Sequence, residues 1–336
     1  MSVIDVLGAA SAASLVDSDL GRAISEWTDQ LGPTHVLRDV GTLSSASTAT
    51  FATRSRVQAI LRPGNLEDVQ ACVRIANRHG VALYPVSSGK NWGYGSRAPI
   101  RDGVIIDLAR MNRIVEFNDD LAYVTIEPGV TQRQLFEFLC ERGARLWMDA
   151  TGSSPDCSII GNTMERGFGH TPMGDHCANA GAFEVVLPTG DVLRTGYARF
   201  DAASAGALGH WGVGPSLDGL FSQSNLGIVT RMSVWLMPQP ESFRAFFFMC
   251  RDANALQAVI DALRPLRLDG TLRSTIHIGN DYKVVAGSRQ YPWADVNGRT
   301  PLDAAAMGRL RQRMNIGAWN GCGGLYGSRA HVKDAA

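Results

Sequence analysis

Pro85-Val-Ser-Ser-Gly-Lys-Asn-Trp-Gly-Tyr-Gly-Ser96 packs three glycines, three serines, an asparagine and a lysine into one loop behind the apolar run Val81–Tyr84. Glycine lets consecutive backbone N–H groups turn inward, and such a concavity binds anions. Lys90 adds a positive charge, and the serines and Asn91 add hydrogen-bond donors. The residues read as a diphosphate cradle, and so as a site for a nucleotide cofactor. A plain glycine-rich turn between two strands is the alternative.

The cradle is not a P-loop, because no Gly-Lys-Ser/Thr follows four spacer residues. It is not the usual dinucleotide fingerprint either. The glycines sit at 89, 93 and 95, and Arg97-Ala-Pro-Ile-Arg-Asp-Gly103 leads to a second apolar run, Val104–Leu108, with no helix opening between. The phosphates would rest on loop amides and side chains, away from any helix N-terminus.

Working outward, Asn65-Leu-Glu-Asp68 is a helix start, with Val69, Val73 and Ala76 on one face and Gly80 past the end. It predicts a helix over 66–79 that feeds the strand Val81–Val86. Another helix is expected over Leu20–Leu31. Val104–Leu108 and Tyr123–Glu127 read as short strands. Thr131-Gln-Arg-Gln134 resembles a capping box for a helix with Leu135, Phe138 and Leu139 on its apolar side. Glu184–Leu187 and Val192–Thr195 flank a glycine-containing turn and form a hairpin. Ile228–Leu236 alternates as a strand and stops at Pro238 and Pro240. Beyond that Pro-x-Pro the pattern restarts. Phe243–Cys250 reads as a strand, Ala253–Leu263 as a helix ended by Pro265, and Thr275–Ile278 as a strand.

At 336 residues the chain should divide into two units. Its 32 basic and 32 acidic residues cancel, which argues against a nucleic-acid partner. Arg309–Arg313 reads as a solvated helix face. There is no basic residue before Arg22, and Asp5 interrupts the first apolar residues, so no secretory signal is expected. No apolar run approaches the about 20 residues needed to span a bilayer, so no membrane partner is expected. The six cysteines are scattered without a Cys-x-x-Cys, which predicts buried free thiols in a cytoplasmic protein. No metal site is expected: His170 and His176, six apart with Asp175 beside the second, fit neither a pair on one helical face nor a finger. No Gly-x-Ser-x-Gly elbow supports nucleophilic hydrolysis.

Two further segments choose between cradle and turn. They are Val124-Thr-Ile-Glu-Pro-Gly-Val-Thr131 and Ile159-Ile-Gly-Asn-Thr-Met-Glu-Arg-Gly-Phe-Gly-His-Thr-Pro-Met-Gly-Asp-His176. With the cradle, in this order, they resemble the flavin-binding domain of the vanillyl-alcohol oxidase / p-cresol methylhydroxylase family. Leu220-Phe-Ser-Gln-Ser-Asn-Leu-Gly-Ile-Val-Thr230, Trp235-Leu-Met-Pro238, Ala262-Leu-Arg-Pro-Leu-Arg267, Gly317-Ala-Trp-Asn320 and Leu325-Tyr-Gly327 extend the resemblance over roughly residues 50–330. It is nearest to the branch acting on para-substituted phenols.

The resemblance implies an α+β fold. A two-subdomain FAD-binding domain of the p-cresol methylhydroxylase type (51–240) would follow an N-terminal segment (1–50). An incomplete α+β cap, or substrate, domain (241–336) would come last, stopping at Ala336 before the family's flavin-linking and phenolate-holding residues. The family's cofactor is FAD. Ser87, Ser88, Gly89, Lys90, Asn91, Trp92, Gly93, Tyr94, Gly95 and Ser96 would hold its diphosphate, with Trp92 packed under the loop. Pro128 and Gly129 would pass close to it. Ser158, Gly161, Asn162, Glu165, Gly167, Phe168 and His170 would line adenosine and diphosphate, Glu165 being a candidate for a ribose or adenine contact, and Ile228 would close on the nucleotide. The two histidines then read as satisfied loop residues or flavin contacts.

Tyr94 matches the tyrosine that holds the substrate phenolate in that branch. Ser153 stands where alcohol-oxidising members carry an aspartate, so the resemblance leaves Asp156, or else Asp149, as the candidate catalytic base, with plain loop carboxylates as the alternative reading of both. The implied reaction is hydride transfer from the benzylic or α carbon of a small para-substituted phenol to FAD, forming a quinone methide to which water adds, or yielding an aldehyde. The electron acceptor would be oxygen or a cytochrome partner, and a homo-oligomer is left open. The alternatives are a catalytically inactive, truncated flavin-binding fragment and a non-enzymatic subunit that stores or presents flavin.

Overall fold

Asn65 starts the helix that leads to the cradle, its side chain accepting from the Asp68 N–H at 2.8 Å. Gly80 ends that helix in the left-handed region, at φ 61°. The computed structural model describes residues 18–49, 54–90 and 97–336. Two compact units emerge. The first comprises the chain up to Phe168 together with Asp175–Pro238, and the second comprises Gly169–Gly174 and Gln239–Ala336.

The first unit is built on two main sheets. In the first sheet β1 (Val36–Leu37) pairs antiparallel with β2 (Val57–Leu61), while β2, β4 (Gly103–Asp107) and β3 (Leu83–Val86) run parallel, in the order β1-β2-β4-β3. Two helices, α1 (Asp19–Leu31) and α3 (Leu66–His79), contribute Trp27, Val69, Cys72 and Val73 to a core with Leu61 and Ile106 of this sheet. The short helix α2 (Val40–Ser47) supplies Ala46 to a smaller core with Val57, Ile60 and Ile105.

The second sheet is antiparallel, in the order β5-β6-β10-β8-β9, from β5 (Ile114–Asn118), β6 (Tyr123–Ile126), β8 (Ala180–Val186), β9 (Val192–Arg194) and β10 (Ile228–Trp235). Against it α4 (Gln132–Glu141) buries Leu135 and Leu139, and α5 (Ile159–Met164) buries Ile159 and Ile160. Thr131 Oγ1 accepts from the Gln134 N–H at 3.2 Å, as a capping box requires. The return bond differs from that motif, because Gln134 Nε2 donates to the Asn112 carbonyl at 2.7 Å. The two-residue strands β7 (Leu146–Trp147) and β11 (Met237–Pro238) form a separate ladder.

The second unit carries a three-stranded antiparallel sheet, in which β14 (Trp319–Gly327) lies between β12 (Ser242–Cys250) and β13 (His277–Asn280). Two expectations fail here. The helix expected to end at Pro265 instead runs from Leu256 to Leu268 with the proline inside. No residue of this helix, α6, is buried, so the carbonyl that loses its N–H partner can turn to water. The Arg309–Arg313 face is not simply solvated, either. On α8 (Ala304–Met314), Arg311 Nε donates at 2.6 Å to Asp281, a buried carboxylate at the start of α7 (Asp281–Ser288). The thiols also depart from the expectation of uniform burial. All six are free, but only Cys72 and Cys157 are buried, and Cys140 is exposed. No helix among the described residues is long and apolar enough to cross a membrane.

Candidate functional site

The loop that leaves β3 turns at Gly89, which has φ +66°. It opens into a cleft of about 320 Å³ lined by Ser87, Ser88, Gly89, Lys90 and Arg97 on one side and by Ser158, Gly161, Met164 and Glu165 on another. Ile228 and Val229, at the start of β10, complete the wall.

Hydrogen bonds tie these walls together. Ser88 Oγ accepts from the Ser158 N–H at 3.0 Å, and Ser158 Oγ donates to the Pro128 carbonyl at 2.6 Å. The same Oγ accepts from the Gly161 N–H at 2.9 Å and so caps α5. One serine therefore fixes cradle, turn and helix to one another. Ser153 Oγ adds a bond to the Lys90 carbonyl at 3.0 Å.

The chemistry of the cleft suits a dianionic phosphate group with an organic ligand attached. Among the described residues no acceptor takes the backbone N–H of Ser88, Gly89 or Lys90. The cations Lys90 and Arg97 meet no carboxylate there. Successive free N–H groups beside two cations make an anion site. Tyr84 and Glu165 give the cleft a region of the opposite character. Burial raises the pKa of the Tyr84 hydroxyl, and the Glu165 carboxylate adds to the shift. Cys157 also lines the cleft, and burial raises its pKa, which keeps it a thiol.

The other expected site residues are placed as follows. Pro128 and Gly129 lie behind Ser158 and do not line the cleft. What crowds Gly129 is protein backbone, since a Cβ there would sit 2.5 Å from the Ala109 carbonyl oxygen and 2.8 Å from that of Met111. Asn162 faces away from the cleft and packs on Gly167, whose N–H donates to the Asn162 carbonyl at 2.8 Å. Phe168 is exposed and bridges to Asp175. His170 belongs to the second unit, where its ring stacks on His277 at 4.2 Å and its carbonyl accepts from the Tyr326 hydroxyl at 3.1 Å. Asp156 is about half exposed and pairs with Arg133 at 3.1 Å. Asn91, Trp92, Gly93, Tyr94, Gly95 and Ser96 lie outside the described residues.

Sequence reasoning missed one arrangement. His176 Nδ1 lies 2.6 Å from Asn162 Oδ1, and its Nε2 lies 2.5 Å from Asp149 Oδ2. The Gly-Asp-His ending of the long motif was the available signal. Its partner, 27 residues upstream, was not identifiable.

A family model described as an FAD binding domain matches residues 57–196. The 1'-carboxy-chondrochloren decarboxylase of Chondromyces crocatus is 50% identical over 91% of this chain and 57% of its own length. The 4-cresol dehydrogenase [hydroxylating] flavoprotein subunit of Pseudomonas putida is 33% identical over 95% of this chain and 62% of its own length. Among solved structures, p-cresol methylhydroxylase with substrate bound superposes with TM-score 0.86 at 31% identity, covering 94% of this chain and 62% of that one. The 4-ethylphenol oxidase from Gulosibacter chungangensis, in an isoeugenol complex, gives TM-score 0.85 at 35% identity, covering 94% of this chain and 61% of that one.

Fold and cleft together define an FAD-binding α+β flavoprotein domain. The chain belongs to the FAD-linked oxidase family, in its p-cresol methylhydroxylase type. It spans between 57% and 62% of the length of these relatives.

Proposed function

We propose that this chain is the flavin-binding part of an FAD-dependent oxidoreductase that oxidises para-substituted phenols at the carbon attached to the ring. The carrying observation is the cleft held by Ser88, Ser158 and Pro128, with its free amides beside Lys90 and Arg97. In this reading Ser87–Ser96 and Arg97 hold the diphosphate of FAD. Glu165 faces its ribose or adenine, and Ile228 covers the nucleotide. Bound FAD would supply the hydride acceptor, a reaction no side chain can perform. Tyr94 donates its hydroxyl to the substrate phenolate, which favours the ionised phenol. Asp156 accepts a proton in the steps that follow.

A second reading has support of its own, because the relative that is 50% identical is named a decarboxylase. A para-hydroxyaryl substrate bearing a carboxyl group on the carbon next to the oxidisable one would, after giving up its hydride, lose carbon dioxide where an alkylphenol loses a proton. The electrons of the broken bond would form a ring-conjugated double bond and restore the phenolate.

One experiment separates these readings. The purified protein is titrated with FAD, and quenching of flavin fluorescence is followed. It is then mixed anaerobically with 4-alkylphenols, with vanillyl alcohol and with carboxyl-labelled para-hydroxyaryl acids. Bleaching of the flavin band by the phenols supports phenol oxidation. Bleaching with labelled carbon dioxide from the acids supports decarboxylation. Flavin binding without bleaching by any of them leaves a flavin-binding fragment. No quenching at all overturns the cofactor assignment.

A further inference from the structure

We propose that His210 and Asp218 form a proton-dependent clasp that positions one wall of the cofactor cleft. The inference rests on the flavin reading of that cleft. Asp218 opens a single 3-10 turn, Asp218–Phe221, ahead of β10. It is 6% exposed. Its Oδ2 lies 2.8 Å from His210 Nδ1, and its Oδ1 is buried without a hydrogen-bond partner among the described residues. The other ring nitrogen of His210, Nε2, lies 3.2 Å from the Ala178 carbonyl oxygen. Trp235 of β10 packs against the same ring, with centroids 5.1 Å apart.

The partners of the ring decide what the contact needs. A carbonyl oxygen only accepts, so Nε2 carries a hydrogen. A second proton must then lie between Nδ1 and Oδ2, on whichever of the two atoms holds it. When that proton leaves to solvent, a nitrogen lone pair faces a carboxylate at 2.8 Å and the contact turns repulsive. Neither Asp218 oxygen then has a donor, which is costly for a buried carboxylate. The titratable groups around the pair are Cys177, Arg166 and Asp175, since Arg166, Asp175 and Asp218 all act on the Cys177 thiol. None of them supplies a donor to Asp218 Oδ1, and Cys177 Sγ donates to the Thr163 carbonyl at 2.9 Å instead. At the other end of the turn Phe221 lines the cleft. Two residues on, the Gln223 N–H donates to the Met164 carbonyl at 2.8 Å, and Gln223 Nε2 donates to the Glu165 carbonyl at 3.3 Å. Met164 and Glu165 line the cleft as well. The clasp therefore holds one end of a segment whose other end carries the wall. Loss of the proton loosens that wall, so FAD affinity falls as pH rises, and by linkage bound FAD retains the proton.

Asp218→Asn tests this, because its amide N–H donates to Nδ1 and closes the contact without the extra proton, while Nε2 still serves Ala178. FAD quenching is titrated for the parent, D218N and Asp218→Ala between about pH 5 and about pH 9, spanning the range in which histidine changes charge. The affinity of the parent should fall about tenfold relative to D218N across that range, the size expected for losing a hydrogen bond to a charged group. D218A should bind weakly throughout. Urea unfolding of the same chains without FAD reads the clasp itself, and D218N should gain stability over the parent from the acid to the alkaline end. Parallel affinity profiles of the parent and D218N overturn the proposal. So does a D218N as weak as D218A at every pH, which leaves Asp218 a structural residue. No quenching by any chain at any pH retires the flavin reading. The unfolding series then decides the clasp, and an equal pH dependence in the parent and D218N overturns it.

Discussion

His176 and Asp149 form a buried pair, with Nε2 2.5 Å from Oδ2 and side chains 11% and 6% exposed. Because Nδ1 is engaged by Asn162, both ring nitrogens are occupied by protein partners. Such a ring has no nitrogen left for a substrate, so its role here is to hold. It fixes the loop after β7 and the turn around Asp175 to α5, whose other side walls the cleft. Removing one partner of a buried pair strands the other. His176→Ala should therefore cost about 3 kcal/mol of stability. Asn162→Ala, which removes a hydrogen bond, should cost about 1 kcal/mol. Urea unfolding measures both. A coupling energy near zero in the His176/Asp149 double-mutant cycle would show that the pair contributes nothing.

Gly129→Ala tests the crowding behind the cradle. Two carbonyl oxygens lie within 2.8 Å of the position its Cβ would take, and both belong to backbone that cannot swing aside. The variant should lose roughly 1–3 kcal/mol. It should also retain flavin poorly, because Pro128 next to it accepts the Ser158 bond. Thermal unfolding with and without FAD reads both effects. An unchanged midpoint would mean that the turn is looser than these distances indicate.

Local signals carried much of the fold. Asn65 and Gly80 bracket α3 because cap and left-handed turn are chemical properties of single residues. Thr131 marks α4 for the same reason, and the strands of the second sheet alternate or run apolar as expected. What failed depended on distant partners. Pro265 continues within α6 because that helix buries nothing, which its own residues do not state. Arg311 finds Asp281, 30 residues away. At the cleft, the cradle and the Ser158 region were identifiable from their glycines and serines. Arg97 and Tyr84 carry no local signature, and Asp149 and His176, each noticed singly, are seen as a pair only when the chain is folded.

Lys90 should contribute to cofactor affinity through charge. Lys90 lines the cleft beside Ser88 and Gly89. Lys90→Ala should weaken FAD binding by roughly ten- to a hundredfold, the range for a lost charge-assisted hydrogen bond. Lys90→Arg should lose less, since it keeps the charge. Arg133→Ala, a surface cation outside the cleft, is the control and should change nothing. Fluorescence quenching titrations at two salt concentrations measure this. Equal affinity in K90A and the parent would remove Lys90 from the site.

The proposed role of Asp156 has a geometric condition. The carboxylate must exchange Arg133, 3.1 Å away, for a group on the substrate. If it does, Asp156→Asn should lower turnover by about a hundredfold with FAD affinity unchanged, as loss of a general base does. Steady-state turnover of a para-substituted phenol is the measurement, since flavin reduction precedes the proton transfer. Parent-like rates would give the proton to water and leave Asp156 a surface carboxylate.

Cys72 sets an alkaline limit on the first core. Burial pushes its thiol from 9.0 up to about 12, and Asp68 adds to the shift. Above pH 9.0 the unfolded chain releases a proton that the folded chain retains. The folded state then binds more protons, so stability falls as pH rises, by up to about 1.4 kcal/mol per pH unit. The loss should extend from pH 9.0 to about 12 and be absent below it. Burial also raises Cys157, Cys177 and Cys322, so they act in the same direction. Cys72→Ala should lower stability at neutral pH through the space it opens, yet flatten the alkaline limb. In the parent, a thiol reagent should label exposed Cys140 first and Cys72 only on unfolding. An alkaline limb of equal slope in C72A would mean that the Cys72 thiol titrates alike in folded and unfolded chains.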